Sequence, residues 1–149
     1  MRIKNESWYR DELDLYRGDY LKKYLKAFGI WLLFTPLGIL NGGLRIYITE
    51  PLLGRAAMPL SGIILSIAIF ALSYFLIPKI GKCETKEYIF IGVAWAVLTN
   101  IFDMVITIIE NRPMSDFFKM YDITTGNLWL IVVLVTLISP VMVGRIRGK

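Results

Sequence analysis

"AFGIWLLFTPLGILNGGLRIYI", Ala27–Ile48, carries one charge, Arg45, in twenty-two residues. A helix of about 20 residues crosses the roughly 30 Å hydrocarbon layer of a bilayer, so this run reads as a membrane span. Three further runs follow. "MPLSGIILSIAIFALSYFLI", Met58–Ile77, has no charge, "YIFIGVAWAVLTNIFDMVITII", Tyr88–Ile109, has one carboxylate, and "LWLIVVLVTLISPVMV", Leu128–Val143, again has none. No strand alternation or hairpin punctuation supports a barrel. The expected fold is an all-α membrane protein with four transmembrane helices in a bundle, spanning about residues 27–48, 58–77, 88–109 and 127–145.

Composition agrees. The chain has 149 residues, 56% of them hydrophobic, against about 45–50% in ordinary soluble domains. A chain this short cannot hide that excess in one water-soluble core, so lipid must take part of it. The bilayer is therefore the first partner.

Charge sets orientation. Seven Lys and Arg precede Ala27, Lys79, Lys82 and Lys86 lie between the second and third spans, and Arg145, Arg147 and Lys149 end the chain. The opposite side holds Arg55, Arg112 and Lys119, with Arg45 at a helix end. By the positive-inside rule both termini are cytoplasmic, in the inner membrane of a prokaryotic cell. The net charge of +5 thus reports orientation and anionic headgroups. No basic patch interleaved with stacking aromatics suggests nucleic acid. The polar N-terminal stretch lacks the short apolar region and cleavage site of a signal peptide, so the first span is expected to be an uncleaved anchor.

Residues 1–27 form a distinct cytoplasmic segment in this reading, ahead of a transmembrane domain over 28–149. Tyr9, Leu13, Tyr16, Tyr20 and Tyr24 recur every three or four residues among charges. That spacing predicts an amphipathic helix on the membrane surface, with tyrosines at headgroup level. A polar lead-in continuing the first span is the alternative.

The residue inventory excludes several chemistries. There is no histidine, and Cys83 is the only cysteine. The usual general base near neutral pH, Ser-His and Cys-His pairs and thiolate zinc sites are absent, so neither metal nor cofactor is expected. Cys83, in "KIGKCETK", reads as an incidental thiol.

Polar residues inside spans are the candidate site. Asn41 and Arg45 share a helix face with Gly38, and Gly38 with Gly42 makes a small-xxx-small pair that lets another helix approach. On the third span Gly92, Ala96, Asn100, Asp103, Thr107 and Glu110 form one stripe. Asp103 in an apolar helix costs about 2.5–3.5 kcal/mol unless paired or hydrated. At 1.5 Å per residue, Arg45 lies roughly 27 Å from Ala27 and Asp103 roughly 23 Å from Tyr88. The two reach nearly the same outer level, and contact within about 4 Å or through one bridging water is expected. Either this is a structural ion pair or it belongs to a hydrated pocket open to the outside, with Glu50, Arg55, Glu110, Arg112, Asp116 and Asp122 at its mouth. Trp129, Tyr47, Tyr74 and Tyr88 read as interfacial anchors.

"NGGLR" (Asn41–Arg45), "PLLG" (Pro51–Gly54), "LTNIFD" (Leu98–Asp103) and "YDITTGNLW" (Tyr121–Trp129) together resemble a family of small four-helix bacterial integral membrane proteins of uncharacterised function. The resemblance spans Ile39 to Pro140. It departs from the family pattern at "AAMPLS", which lacks an Ala-His-Gln stretch, and at Asp103, where Glu is common. It implies the fold and the polar cluster but no activity.

The leading functional expectation is a non-enzymatic membrane protein whose outer polar cluster binds or passes a small polar solute or ion, as an oligomer. The alternative is an accessory or scaffold protein that docks a membrane partner, with the Arg–Asp cluster purely structural. An intramembrane enzyme acting on lipid is a third class, but no nucleophile–base pair is legible.

Overall fold

A computed structural model describes residues 4–147, with side chains from Trp8 to Arg147. The basic side chains of Arg2, Lys4 and Lys149 that entered the charge count lie outside the described ones. Helix dominates, and no strand occurs among the described residues.

Helix α1 runs from Lys4 to Leu44, 41 residues, a rod of about 60 Å. It does not break at Ala27. The segment expected to lie apart on the membrane surface instead continues the first apolar run. Its Leu, Lys, Arg and Glu are good helix formers, and Gly18 alone does not outweigh them.

At Leu44 the winding changes. Arg45–Thr49 is a π turn, closed by the Glu50 N–H donating to the Arg45 carbonyl. Pro51 accounts for it, because proline cannot donate to the carbonyl four residues back and its ring crowds that position. The one-turn α2, Glu50–Leu53, ends at Gly54, whose φ of 56° and ψ of −126° turn the chain back. A side chain would be strained there. Helix α3 follows over Ala57–Leu76.

Ties at both ends show that α1 and α3 are antiparallel. Asn41 Nδ2 donates to Ser61 Oγ at 2.7 Å near the turn, and Lys26 Nζ reaches the Lys79 carbonyl at 3.2 Å at the far end. Helix α4, Thr85–Ile109, starts with a capping box of Glu84 and Glu87. It runs parallel to α1: Lys23 pairs with Glu87 at 3.2 Å, Trp95 Nε1 donates to the Ala27 carbonyl at 2.9 Å, and Trp31 Nε1 donates to Thr99 Oγ1 at 3.0 Å. A short α5, Met114–Lys119, crosses the connecting segment, and α6 covers Trp129–Arg147.

Helix α6 packs between α3 and α4 through small residues. A Cβ on Gly62 would stand 2.8 Å from Leu128 Cβ, one on Gly144 would stand 2.5 Å from the Tyr88 ring, and Gly92 abuts the Leu137 carbonyl. Ser73 and Ser139 hydroxyls meet at 3.3 Å on the same seam. Such close backbone approach is how helices associate where lipid is as apolar as their side chains. Trp95, 1% exposed, centres the core with Phe34 edge-on at 5.0 Å.

The outside is apolar too. Leu33, Leu40, Ile67, Val97, Ile101 and Ile138 are all exposed, the reverse of a soluble surface. Among the described residues three helical stretches are long and apolar enough to cross a membrane: Trp8–Lys79, which takes in most of α1 and all of α3, then Thr85–Ile109 and Trp129–Arg147.

Candidate functional site: a polar cavity between the helices

A cavity of about 340 Å³ lies between α1, α3, α4 and α6. Trp31, Phe34, Leu65 and Ile69 give it an apolar floor. Toward the turn end its lining becomes polar, with Asn41 from α1, Arg45 from the π turn, Ser61 from α3, Asp103 from α4, Arg112 and Asn127 from the connecting segment, and Trp129 from α6. The size suits a small ligand, and an apolar wall with a few converging polar groups is the usual composition of a binding site.

Most polar groups there have partners. Asn41 is tied to Ser61, Trp31 to Thr99, and the Thr136 hydroxyl donates to the Val132 main-chain carbonyl at 2.8 Å. Three do not. Arg45 Nε, Asp103 Oδ2 and Trp129 Nε1 are the buried side-chain polar atoms without a hydrogen bond among the described residues. All three belong to residues lining this one cavity. An unanswered buried donor or acceptor costs about 1–3 kcal/mol, so three in one cavity need an explanation.

Of the two expected links between Arg45 and Asp103, the direct ion pair is not made. The ion pairs among the described residues join Lys23 to Glu87, Arg112 to Glu110 and Lys119 to Asp116, and none joins Arg45 to Asp103 within 4.0 Å. Matched depth along two helices brings both to one cavity without fixing which way each side chain points. The π turn that begins at Arg45 changes its angular position as well.

The glycine reading is also corrected. Around Gly38 and Gly42 nothing stands within 4 Å of a built Cβ, because both line the cavity rather than a helix contact. The close approaches are at Gly62, Gly92 and Gly144 instead.

The remaining candidates divide plainly. Arg112, placed at the mouth by sequence, lines the cavity. Asn100 does not; its amide donates to the Ala96 carbonyl and its oxygen accepts from the Tyr121 hydroxyl. Thr107 is buried, 1% exposed, beside rather than in the cavity. Glu110 is exposed and holds Arg112 at 2.7 Å. Glu50 and Arg55 are exposed on the turn, and Asp122 caps a short 3-10 turn by accepting from the Thr124 N–H at 3.0 Å. Asp116 pairs with Lys119 at 3.0 Å.

Sequence reasoning missed Ser61, Thr99, Asn127 and the role of Trp129. Only the polarity of Ser61 and Thr99 within apolar runs could have flagged them. Trp129 looks like an interfacial anchor because it stands at the end of its run, yet its indole nitrogen makes no well-formed hydrogen bond and has the Tyr121 hydroxyl as a neighbour. Burial pushes the Tyr121 phenol above its ordinary range, so it stays a neutral donor to Asn100. Among the described residues no group of three or more His, Cys, Asp or Glu side chains is placed to hold a metal ion.

No family model, curated protein or solved structure matches this chain.

Proposed function

We propose that the chain is a four-helix integral protein of the prokaryotic inner membrane, with both termini cytoplasmic, whose cavity binds a small polar solute and passes it outward or inward as an oligomer. One observation carries the reading: Arg45 Nε, Asp103 Oδ2 and Trp129 Nε1, all unpartnered, line the same cavity. The four-helix resemblance supports the architecture, and the basic residues at one end of the helices support the orientation.

The three atoms state what the solute must offer. Arg45 and Trp129 need an acceptor, and Asp103 needs a donor or a positive charge. A simple anion would answer the first two and repel the third. A simple cation would answer only Asp103. A zwitterion, or a neutral molecule with donor and acceptor groups a few ångströms apart, answers all three.

Trp31 and Trp129 line the cavity, so indole fluorescence reads its occupancy. The full chain in lipid nanodiscs is titrated with amino acids, small carboxylates and alkylammonium salts, with thermal unfolding in parallel. The expected result is a saturable change with zwitterions alone, lost in Arg45→Gln and in Asp103→Asn. Equal responses of both variants and the natural chain would refute the reading.

A second reading, an accessory protein docking a partner, draws on α1. Before Ala27 the helix exposes Tyr9, Leu13, Tyr16 and Tyr20, a mixed aromatic surface suited to another helix. A stoichiometric partner that co-purifies with the full chain and is lost on Tyr16→Lys would favour it.

A further inference from the structure

A second hollow, of about 880 Å³, forms where the Pro78–Lys82 loop, the start of α4 and the last turns of α6 meet. Lys82, Arg145 and Arg147 line it, and no carboxylate does. Ile77, Val141 and Val143 give it an apolar wall.

Among the described residues the three cations have no acidic partner. Arg147 lies over the Tyr74 ring at 4.8 Å instead, which holds the guanidinium without neutralising it. The acids close by in sequence are committed elsewhere, Glu84 to the capping box of α4 and Glu87 to Lys23. The end of α6 favours cations through its dipole, which accounts for Arg145 and Arg147. It does not account for a third cation from a different element, nor for the hollow between them. The wall is firm, since Val143 is fully buried and the Tyr88 ring lies where a side chain on Gly144 would stand.

We propose that this hollow binds a phosphate group, that of an anionic phospholipid, with the lipid's glycerol and upper chains against the apolar wall. Arginine forks match phosphate oxygens two at a time and lysine adds a point charge. Basic pockets between helix ends are where such headgroups bind. A soluble phosphate ester presents the same group without the chains. The site is separate from the cavity between the helices and stands whether or not that cavity binds a solute.

The test uses the full chain purified from phosphatidylglycerol–phosphatidylcholine nanodiscs into mild detergent, with retained lipid counted by native mass spectrometry. A parallel arm measures thermal shift with inorganic phosphate in lipid-free detergent. Phosphatidylglycerol is expected to be retained over phosphatidylcholine. Its affinity should fall about fivefold for each basic residue removed, following the roughly 1 kcal/mol each contributes near anionic lipid, and so most in Lys82→Gln/Arg145→Gln. Arg17→Gln/Lys86→Gln removes the same charge outside the hollow and should leave retention unchanged. A phosphate shift that vanishes in Lys82→Gln/Arg145→Gln, without lipid retention, assigns the site to soluble phosphate and overturns the lipid assignment. Equal loss in both double variants, or no preference and no shift, overturns the site.

Discussion

Arg45 and Asp103 line one cavity without pairing, and each keeps a buried atom that makes no hydrogen bond among the described residues. This separates two outcomes that an ion pair would merge. Breaking a buried pair costs about 3–5 kcal/mol, because one charge is left alone. Here Asp103 has no ion pair within 4.0 Å among the described residues, only the weaker attraction of Arg112 across the cavity, and asparagine is cheaper to hold in an apolar helix. Asp103→Asn should therefore leave thermal stability in nanodiscs unchanged or raise it, while abolishing the fluorescence response to zwitterions. A loss of about 3 kcal/mol or more would mean that the carboxylate is paired in the membrane.

Gly92 against the Leu137 carbonyl and Gly42 against open cavity are opposite tests of one residue type. Gly92→Ala pushes a methyl into main chain that cannot rotate away, so α4 and α6 must part. A cost of about 1–3 kcal/mol is expected, seen as a lower unfolding temperature. Gly42→Ala meets nothing and gains about 0.5–1 kcal/mol of helix preference. Gly42→Leu should fold as well but fill the cavity, removing solute binding at unchanged stability. If Gly42→Leu destabilises as Gly92→Ala does, the space beside Gly42 is a helix contact after all.

The two glycines also show what the sequence could and could not yield. The long apolar runs of the second, third and fourth segments coincide with α3, α4 and α6 to within about three residues, since uninterrupted apolar length leaves helix as the only way to satisfy the backbone in lipid. The end of the amphipathic segment was illegible. Nothing at Ala27 breaks a helix, and whether such a segment bends onto the surface depends on its packing rather than its period. Small residues spaced by four mark a face that either meets a neighbour or lines a void, and Gly38 and Gly42 do the second. Axial depth placed Arg45 and Asp103 on one cavity, but it says nothing of azimuth, and at Arg45 the winding is altered by a π turn that Pro51 imposes from six residues away.

Cys83 tests orientation. As the only cysteine it can be labelled in the natural chain, and Arg55→Cys and Asp116→Cys in a Cys83→Ser background probe the opposite side. Burial and the nearby Glu87 carboxylate push the Cys83 thiol above its ordinary range, so little thiolate exists near neutral pH. Thiolate is the reacting form, and below its pKa the fraction grows about tenfold per pH unit. Labelling of Cys83 by an impermeant maleimide should therefore need permeabilised cells and quicken by about that factor between pH 7 and pH 8. The engineered cysteines should label in intact cells. Labelling of Cys83 in intact cells would reverse the topology.

Tyr121 and Asn100 are 21 residues apart, and their hydrogen bond fastens the segment between α4 and α6 onto the α4 surface. That segment matters to the site, because Met120 and Asn127 on either side of Tyr121 line the cavity. The Asn100 amide is already committed to the Ala96 carbonyl at 2.7 Å, so its oxygen is the end that loses a partner when the phenol goes. Tyr121→Phe keeps the ring against Phe117, 5.8 Å between centroids, and removes the hydroxyl, which donates to Asn100 and neighbours the Trp129 indole. A half-buried acceptor left unanswered costs about 1–3 kcal/mol, and the segment loses its one side-chain tie to Asn100. The expected readouts are a lower unfolding temperature and faster amide hydrogen exchange across residues 114–127, with exchange in the middle of α4 unaltered. Asn100→Asp should behave differently: a carboxylate accepts from the phenol more strongly, so the segment stays protected although the helix pays for the charge. If Tyr121→Phe leaves exchange in 114–127 as it was, the segment is held by Phe117 and the Asp122 turn, and the hydroxyl has no part in closing the cavity.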